Sequence, residues 1–83
     1  MRSVAYKKAA LKALARMPAN MSALVRSKIE QYARDPESLT ANVVKLQGRV
    51  GYRLRVGDFR VIFTEDRVVL TILHIGPRGG VYD

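Results

Sequence analysis

The sequence predicts an α+β fold: a short N-terminal strand and a helical hairpin packed on one face of a four- to five-stranded, mainly antiparallel sheet, in the order β-α-α-β-β-β-β. Two observations predict it. Apolar residues recur with a helical period in residues 7–34 and with a period of two from residue 43 onward. Helices followed by a run of strands are typical of α+β folds. The length of 83 residues fits one domain spanning 1–83.

The helical hairpin is expected to follow a short alternating strand at residues 2–6, RSVAY. The run that begins at Lys7, KKAALKALARM, is rich in strong helix formers. Within it, Ala10, Leu14 and Met17 form an apolar stripe, as in a helix that packs on a core. Pro18 interrupts this pattern and predicts the end of the first helix.

The second helix is expected from about Asn20 to Arg34. Asn20 or Ser22 would be its N-cap, and Asp35-Pro36 would end it because the residue before a proline disfavours the helical region. Its apolar positions recur at helical spacing; they are Met21, Leu24, Val25, Ile29, Tyr32 and Ala33.

Four strands are expected after a loop at residues 35–42, DPESLTAN. They are a short strand at 43–47, two strands at 51–57 and 59–65 joined tightly at Gly57-Asp58, and a long run at 67–75. The last run contains VVLTILHI and is apolar on both faces, which predicts a central strand. One sheet face would be covered by the helices, and the other would be left to solvent or a ligand.

Positive charge is the strongest global signal. Fifteen Lys and Arg residues against seven Asp and Glu give a net charge of +8. Such self-repulsion in a small domain favours a negatively charged partner, such as nucleic acid, an acidic protein or an anionic membrane. The alternative is a basic surface without a specific role.

Several classes of protein are disfavoured by composition. There is no cysteine, so disulfides and Cys-based metal sites are excluded. No apolar run approaches the roughly 18–20 residues that span a bilayer, and the basic N-terminus lacks a signal-peptide core. We therefore expect a cytoplasmic protein without membrane association.

Arginines alternate with apolar residues in YRLRVGDFRVIF, residues 52–63. Because successive side chains of a strand point to opposite faces, Arg53 and Arg55 share one face. Arg60 lies past a two-residue turn and can reach the same face. Arginine binds phosphate bidentately through a fixed fork of donors, so these three residues predict a phosphate clamp. The alternative is a solvated basic strand face.

Other candidate residues surround this segment or follow it. Lys45 and Arg49 precede the arginines, and Lys8 and Lys12 on the first helix could follow a longer polyanion. The Gly-rich tail, IGPRGGVYD, carries Arg78 and Tyr82, and a tyrosine can stack on an RNA base. Ordinary packing is the alternative for Tyr82.

His74 is the one histidine, and histidine is the usual acid–base residue near neutral pH. It falls inside an apolar strand, so a half-buried structural residue is the favoured interpretation. The acidic residues show no metal-ligand spacing, and there is no Ser-His-Asp set, P-loop or dinucleotide fingerprint. An enzyme with this sequence would work mainly with positive charge.

The sequence resembles the RelE/ParE superfamily of bacterial type II toxins. The resemblance rests on the helical hairpin, KLQG, YRLRVGDFRVIF, the apolar strand and GPRGGVY, and covers nearly the whole chain. It implies a ribosome-dependent endoribonuclease that cleaves mRNA by attack of a ribose 2′-OH on the adjacent phosphate, without a metal or other cofactor. The implied catalytic residues are Arg53, Arg55, Arg60, Arg78 and Tyr82.

The resemblance also implies a role for each of these residues. Arg60 would hold the phosphate, Arg78 would stabilise or protonate the leaving 5′-oxygen, and Tyr82 would stack on the nucleotide. Arg53 and Arg55 would neutralise the backbone and help to form the nucleophile. The RelE prototype has lysines at the latter two positions, and arginine is a poor general base because it stays protonated.

The partners implied by the resemblance are a cognate antitoxin with an acidic toxin-binding segment, the ribosome and mRNA, and operator DNA through the antitoxin complex. Two alternatives share the fold. One is a ParE-type poison of DNA gyrase, and the other is a catalytically inert homologue that acts only in an antitoxin–operator complex.

Overall fold

A computed structural model describes residues 2–77 of the chain and has the predicted α+β fold. The element order is β-α-α-β-β-β-β, with a 3-10 helix before the second strand. The elements are β1 (Ser3–Tyr6), α1 (Lys8–Arg16), α2 (Ala19–Arg34), the 3-10 helix (Pro36–Asn42), β2 (Val43–Lys45), β3 (Tyr52–Val56), β4 (Phe59–Glu65) and β5 (Val69–Pro77). Within residues 2–77, no helix is long and apolar enough to cross a membrane.

The sheet has the strand order β1-β5-β4-β3-β2. β1 runs parallel to β5, and the other neighbours are antiparallel. The prediction that the long apolar run is a central strand is confirmed, since β5 lies between β1 and β4. β1 pairs with β5 only as far as Tyr6, opposite Ile72; beyond that point α1 contacts β5.

The hydrophobic core lies between the two helices and one face of the sheet. This inner face carries alternate residues of each strand, which is the pattern that a half-buried antiparallel sheet requires. The buried side chains are Ala10, Leu14, Val25, Ile29, Tyr32, Ala33, Leu39, Leu54, Val56, Val61, Phe63, Leu70, Ile72 and Ile75. The predicted helical hairpin on one sheet face is confirmed.

The start of α2 differs from the prediction. The helix begins at Ala19, with Pro18 as its N-cap residue and no capping side-chain hydrogen bond. Asn20 and Ser22 therefore lie inside the helix, and neither is the N-cap. Proline suits the helix start because it lacks the N–H that would be left unpaired there. Leu24 also departs from the expected apolar stripe, with 40% of its surface exposed.

The segment expected to be a loop, residues 35–42, is a 3-10 helix over Pro36–Asn42. Leu39 is buried in the core and anchors it. β2 ends at Lys45, two residues earlier than expected, because the Leu46 N–H already bonds the Gly51 carbonyl and closes a loop.

A polar cluster joins Arg2, just before β1, and α2 to the end of β4. The Tyr32 hydroxyl donates to Glu65 Oε2 at 2.9 Å, and Arg2 Nη1 lies 3.2 Å from Glu65 Oε1. Arg2 Nε also donates to the Asp66 carbonyl at 2.7 Å. Burial, followed by the Glu65 carboxylate, raises the pKa of Tyr32 to about 12.

Candidate functional site

The sheet face opposite the helices, which we call the outer face, carries the arginines of β3 and β4. Tyr52, Leu54 and Val56 point to the helices, so Arg53 and Arg55 point away. Arg55 pairs directly with Arg60 across the hairpin, while Arg53 pairs with the next outer-face residue of β4, Ile62. The arginine positions on one face thus follow the predicted alternation.

A two-residue turn sets this register. Gly57 takes a positive φ of 56°, which a type II′ hairpin turn needs at its first central position. A two-residue turn fixes the pairing, and a slip of either strand by one residue would move the arginines of that strand to the inner face. The position of Arg60 opposite Arg55 is therefore fixed by local geometry.

The three arginines line one cleft of about 150 Å³, which we call the arginine cleft. Its other lining residues are Ala41, Asn42, Val44 and Gly57. Within residues 2–77, none of the residues that line it carries a negative charge. Arg55 and Arg60 are directly opposed at this cleft, and like charges so placed repel each other.

An apolar patch adjoins the arginine cleft on the outer face. Ile62 and Leu46 are buried there, and Leu73 packs against them. The outer face is therefore not entirely open to solvent or ligand, contrary to the expectation from the sequence. Alternation along β4 places Ile62 on the same face as Arg60. An apolar residue at this position is the feature of the sequence that predicts the patch.

A β-bulge in β5 brings His74 to the outer face. Ile62 pairs with His74, whereas Phe63 pairs with Ile72, so Leu73 is the extra residue. His74 is half-buried, as expected, but it lies beside the site rather than in the core. Sequence alternation could not show this, because a bulge reverses the faces of all residues beyond it.

Two clefts meet at His74. One, of about 290 Å³, is lined by Ala9, Arg49, Ile62 and Leu73 as well as His74. The other, of about 510 Å³, lies between α1 and the end of β5. It is lined by Ala9, Lys12, Ala13, Arg16, Met17, Pro18, Phe59, His74, Ile75, Gly76 and Pro77.

The predicted RNA-binding residues are distributed around these clefts. Arg49 and Lys12 each line a cleft that His74 also lines. Lys8 is exposed one turn earlier on α1. Lys45 pairs with Tyr52 and so belongs by alternation to the inner-face side, although it shares a rim cleft with Arg53. Lys8 and Lys45 are therefore peripheral to the arginine cleft.

Two predicted catalytic residues, Arg78 and Tyr82, lie outside the described residues. Tyr6, Tyr32 and Asp66, each of which has a shifted pKa, do not line the arginine cleft. The pKa of the Asp66 carboxyl group is lowered because the backbone N–H groups of Val69 and Val68 donate to it.

Comparison with known proteins gives a family and a set of similar folds. Residues 4–82 match the model of the family described as the ParE toxin of the type II toxin–antitoxin system parDE. The chain is similar to a chain of the RelE–RelB complex of the archaeon Pyrococcus horikoshii OT3, with 29% identity over 96% of this chain and 98% of that chain, and a TM-score of 0.77.

Two bacterial complexes contain the same fold at lower identity. The values for the RelBE2 toxin–antitoxin complex of Mycobacterium tuberculosis are 20% identity, coverage of 93% and 98%, and a TM-score of 0.78. For the intact RelBE toxin–antitoxin complex of E. coli, the identity is 18% over 93% of this chain and 96% of that chain, and the TM-score is 0.75. No curated protein matches the sequence significantly.

Proposed function

The chain belongs to the ParE toxin family of type II toxin–antitoxin systems, within the RelE/ParE superfamily, and we propose that it is a ribosome-dependent endoribonuclease that cleaves mRNA in the cytoplasm. The observation that carries this proposal is the arginine cleft. Arg53, Arg55 and Arg60 line one cavity of about 150 Å³, and a cavity lined by three arginines suits a phosphodiester better than a neutral ligand.

The proposed reaction is a transesterification within the RNA chain. The ribose 2′-oxygen forms a bond to phosphorus as the bond from phosphorus to the 5′-oxygen breaks. The products carry a 2′,3′-cyclic phosphate and a 5′-hydroxyl group. Negative charge builds up on the phosphoryl oxygens in the transition state, and preorganised cations stabilise it more than they stabilise the ground state.

Each arginine has a proposed part in this reaction. Arg60 holds the scissile phosphate, and Arg55, directly opposite, shares the added charge of the transition state. Arg53 neutralises the neighbouring backbone. Arg78 and Tyr82 act on the leaving oxygen and the base, as the resemblance to the RelE branch implies. The ribosome presents the mRNA in the reactive geometry, since a rigid template supplies orientation that a small protein lacks.

A cognate antitoxin is part of the proposal. The M. tuberculosis and E. coli relatives were solved as toxin–antitoxin complexes, which supports such a partner for this chain. With a net charge of +8, the chain would attract an acidic antitoxin segment and associate rapidly with it. The complex would bind operator DNA mainly through the antitoxin.

A gyrase poison is the second candidate. The observation that favours it is the matching family itself, which is described by the ParE toxin rather than by RelE. The arginine cleft favours RNA cleavage, because the implied RNase residues of β3 and β4 are all present as arginines. The catalytically inert homologue remains the third candidate, and assays of both targets distinguish it.

The first experiment is in vitro translation with the purified chain, followed by primer extension on the mRNA. We expect cleavage at ribosomal A-site codons that requires ribosomes, and a loss of about 100-fold or more in Arg60→Ala, which is typical when a transition-state donor is removed. Arg67→Ala removes an exposed arginine from the turn between β4 and β5, remote from the arginine cleft, and should retain activity.

Intact mRNA with normal translation would contradict the RNase proposal. Inhibition of DNA supercoiling by gyrase would then identify the second candidate. Normal activity of both targets, with antitoxin binding retained, would identify an inert partner.

A further inference from the structure

We propose that His74 is the general base of this site, removing the proton from the attacking ribose 2′-hydroxyl group. This inference rests on the proposed endoribonuclease function. The imidazole takes the proton as the 2′-oxygen bonds to phosphorus, and the departing 5′-oxygen receives a proton from another donor or from solvent. His74 is thus assigned a catalytic role in contact with substrate, although it lies in a strand of core residues.

The bulge in β5 is the first observation. Leu70 and Ile72 are buried in the core, so strict alternation would send the His74 side chain to the same inner face. The extra residue, Leu73, reverses the alternation: His74 pairs with the outer-face residue Ile62, and Ile75 returns to the core. β-Bulges often re-aim side chains next to active sites.

The strand register places His74 close to the arginine cleft, although its side chain lines the two neighbouring clefts rather than that cleft. Arg60 pairs with Gly76, and His74 lies two residues before Gly76 on β5. Residues in this diagonal relation have Cα atoms roughly 7–8 Å apart, which long and aromatic side chains bridge. A phosphodiester held by Arg60 would therefore present its adjacent ribose within reach of the imidazole.

The surrounding charges supply the third observation. The charged groups that line the two clefts at His74 are Lys12 and Arg16 from α1 and Arg49 from the loop before β3. Within residues 2–77, no acidic residue lines either cleft. Arginine stays protonated, and lysine ordinarily does so at neutral pH, so neither takes up a proton readily. His74 is the remaining side chain there with an atom that can accept a proton, since a neutral imidazole has one unprotonated nitrogen.

The position of His74 also supplies a proton acceptor, which the arginine cleft lacks. Arginines at 53, 55 and 60 can bind and stabilise the phosphate, but none of them is suited to accept the 2′-hydroxyl proton. A histidine diagonal to Arg60 adds that function while leaving the electrostatic part to the arginines. The two kinds of residue then carry separate steps, and their variants should differ in pH dependence.

The test is single-turnover cleavage of a ribosome-bound mRNA with a defined A-site codon, measured from about pH 5.5 to 8. We expect the wild-type rate to rise with pH through the range in which imidazoles titrate. His74→Gln should lower the rate by about 100-fold or more and remove that rise. Added imidazole should partly restore His74→Ala, which a purely structural role would not predict.

Thr71→Ala is the matched control, because Thr71 is also half-buried on β5 and pairs with Thr64 away from the arginine cleft. It should leave both the rate and the pH profile unchanged. Thermal unfolding of each variant identifies any loss of fold, and imidazole restoration remains informative if His74→Gln is less stable.

Two outcomes overturn the assignment, and they are distinguishable. If the wild type cleaves and His74→Gln cleaves at a similar rate with the same pH profile, His74 is not the base and the proposed function stands. If the wild type leaves ribosome-bound mRNA intact at every pH, the proposed function fails, and the assignment of His74 fails with it.

Discussion

Replacing Arg55 with glutamine should stabilise the fold while weakening its function. Arg55 lies directly opposite Arg60, and side chains so paired have Cβ atoms about 4.5–5.5 Å apart. Two unit charges about 6 Å apart in water repel by roughly 0.7 kcal/mol, within the roughly 0.2–1 kcal/mol of cross-strand pairs. We expect Arg55→Gln to raise the free energy of unfolding by about 0.5 kcal/mol.

The assay is thermal and urea unfolding at low and high salt. A gain of about 0.5 kcal/mol corresponds to an increase of roughly 2–4 °C in the melting temperature of a domain this small. The gain should shrink at about 1 M salt, where the Debye length is about 3 Å. Arg55 is the better member to change, because it is exposed whereas Arg60 is half-buried and interacts with other groups.

The control separates local repulsion from net charge. Arg67→Gln makes the same change in net charge at an exposed position in the turn between β4 and β5, remote from the arginine cleft. If the arginines repel locally, Arg55→Gln gains more stability than Arg67→Gln. Equal gains would refute the pairwise reasoning, and a loss of stability in Arg55→Gln would show that Arg55 makes a net favourable contact.

RNA binding provides the functional half of this prediction. If Arg55 contacts a phosphate, Arg55→Gln should weaken single-stranded RNA binding and reduce its dependence on salt by about 0.7 in the log–log slope. Arg67→Gln should retain the wild-type slope. An unchanged slope in Arg55→Gln would mean that this arginine contacts no phosphate.

Two further predictions concern the fold and the partner. The pKa of Tyr32 is raised to about 12, against about 10 for an unfolded tyrosine. The contribution of Tyr32 to the free energy of unfolding is therefore complete below about pH 10. This contribution should fall by about 1.4 kcal/mol per pH unit as the pH rises from 10 toward 12. Urea unfolding at high pH should show this loss in the wild type but not in Tyr32→Phe; parallel losses would exclude Tyr32 as its source. For the antitoxin, stopped-flow association should slow between about 50 and 300 mM salt, and a constant rate would count against charge-driven encounter.

Regular stretches of the chain are predictable from sequence, and the arginine cleft lies in one of them. The hairpin of β3 and β4 has a two-residue turn and an uninterrupted register from Tyr52 to Phe63. Alternation alone therefore places Arg53 and Arg55 on the outer face and brings Arg60 beside them. The catalytic role of these residues stays a prediction, because position on a face does not test chemistry.

Irregular stretches are where the sequence interpretation was incomplete. The 3-10 helix at Pro36–Asn42 has no periodic apolar pattern, since only Leu39 is buried there. Capping propensity predicts a start of α2 at Asn20 or Ser22, whereas the chain is already helical after Pro18. Propensity is a local preference, and the position of a proline outweighs it here.

The bulge at Leu73 explains why the sequence does not predict the face of the sheet on which His74 lies. Two-residue periodicity is lost at one extra residue, and nothing in VVLTILHI marks which residue that is. Local rules are expected to fail at functional sites, where a fold accepts irregularity or repulsion that packing alone would not select. Here both features occur on the outer face: Arg55 opposes Arg60, and the bulge brings His74 to the same face, where it pairs with Ile62. The inner face keeps the regular alternation of apolar residues and forms the hydrophobic core, which stabilises the sheet that carries the outer face.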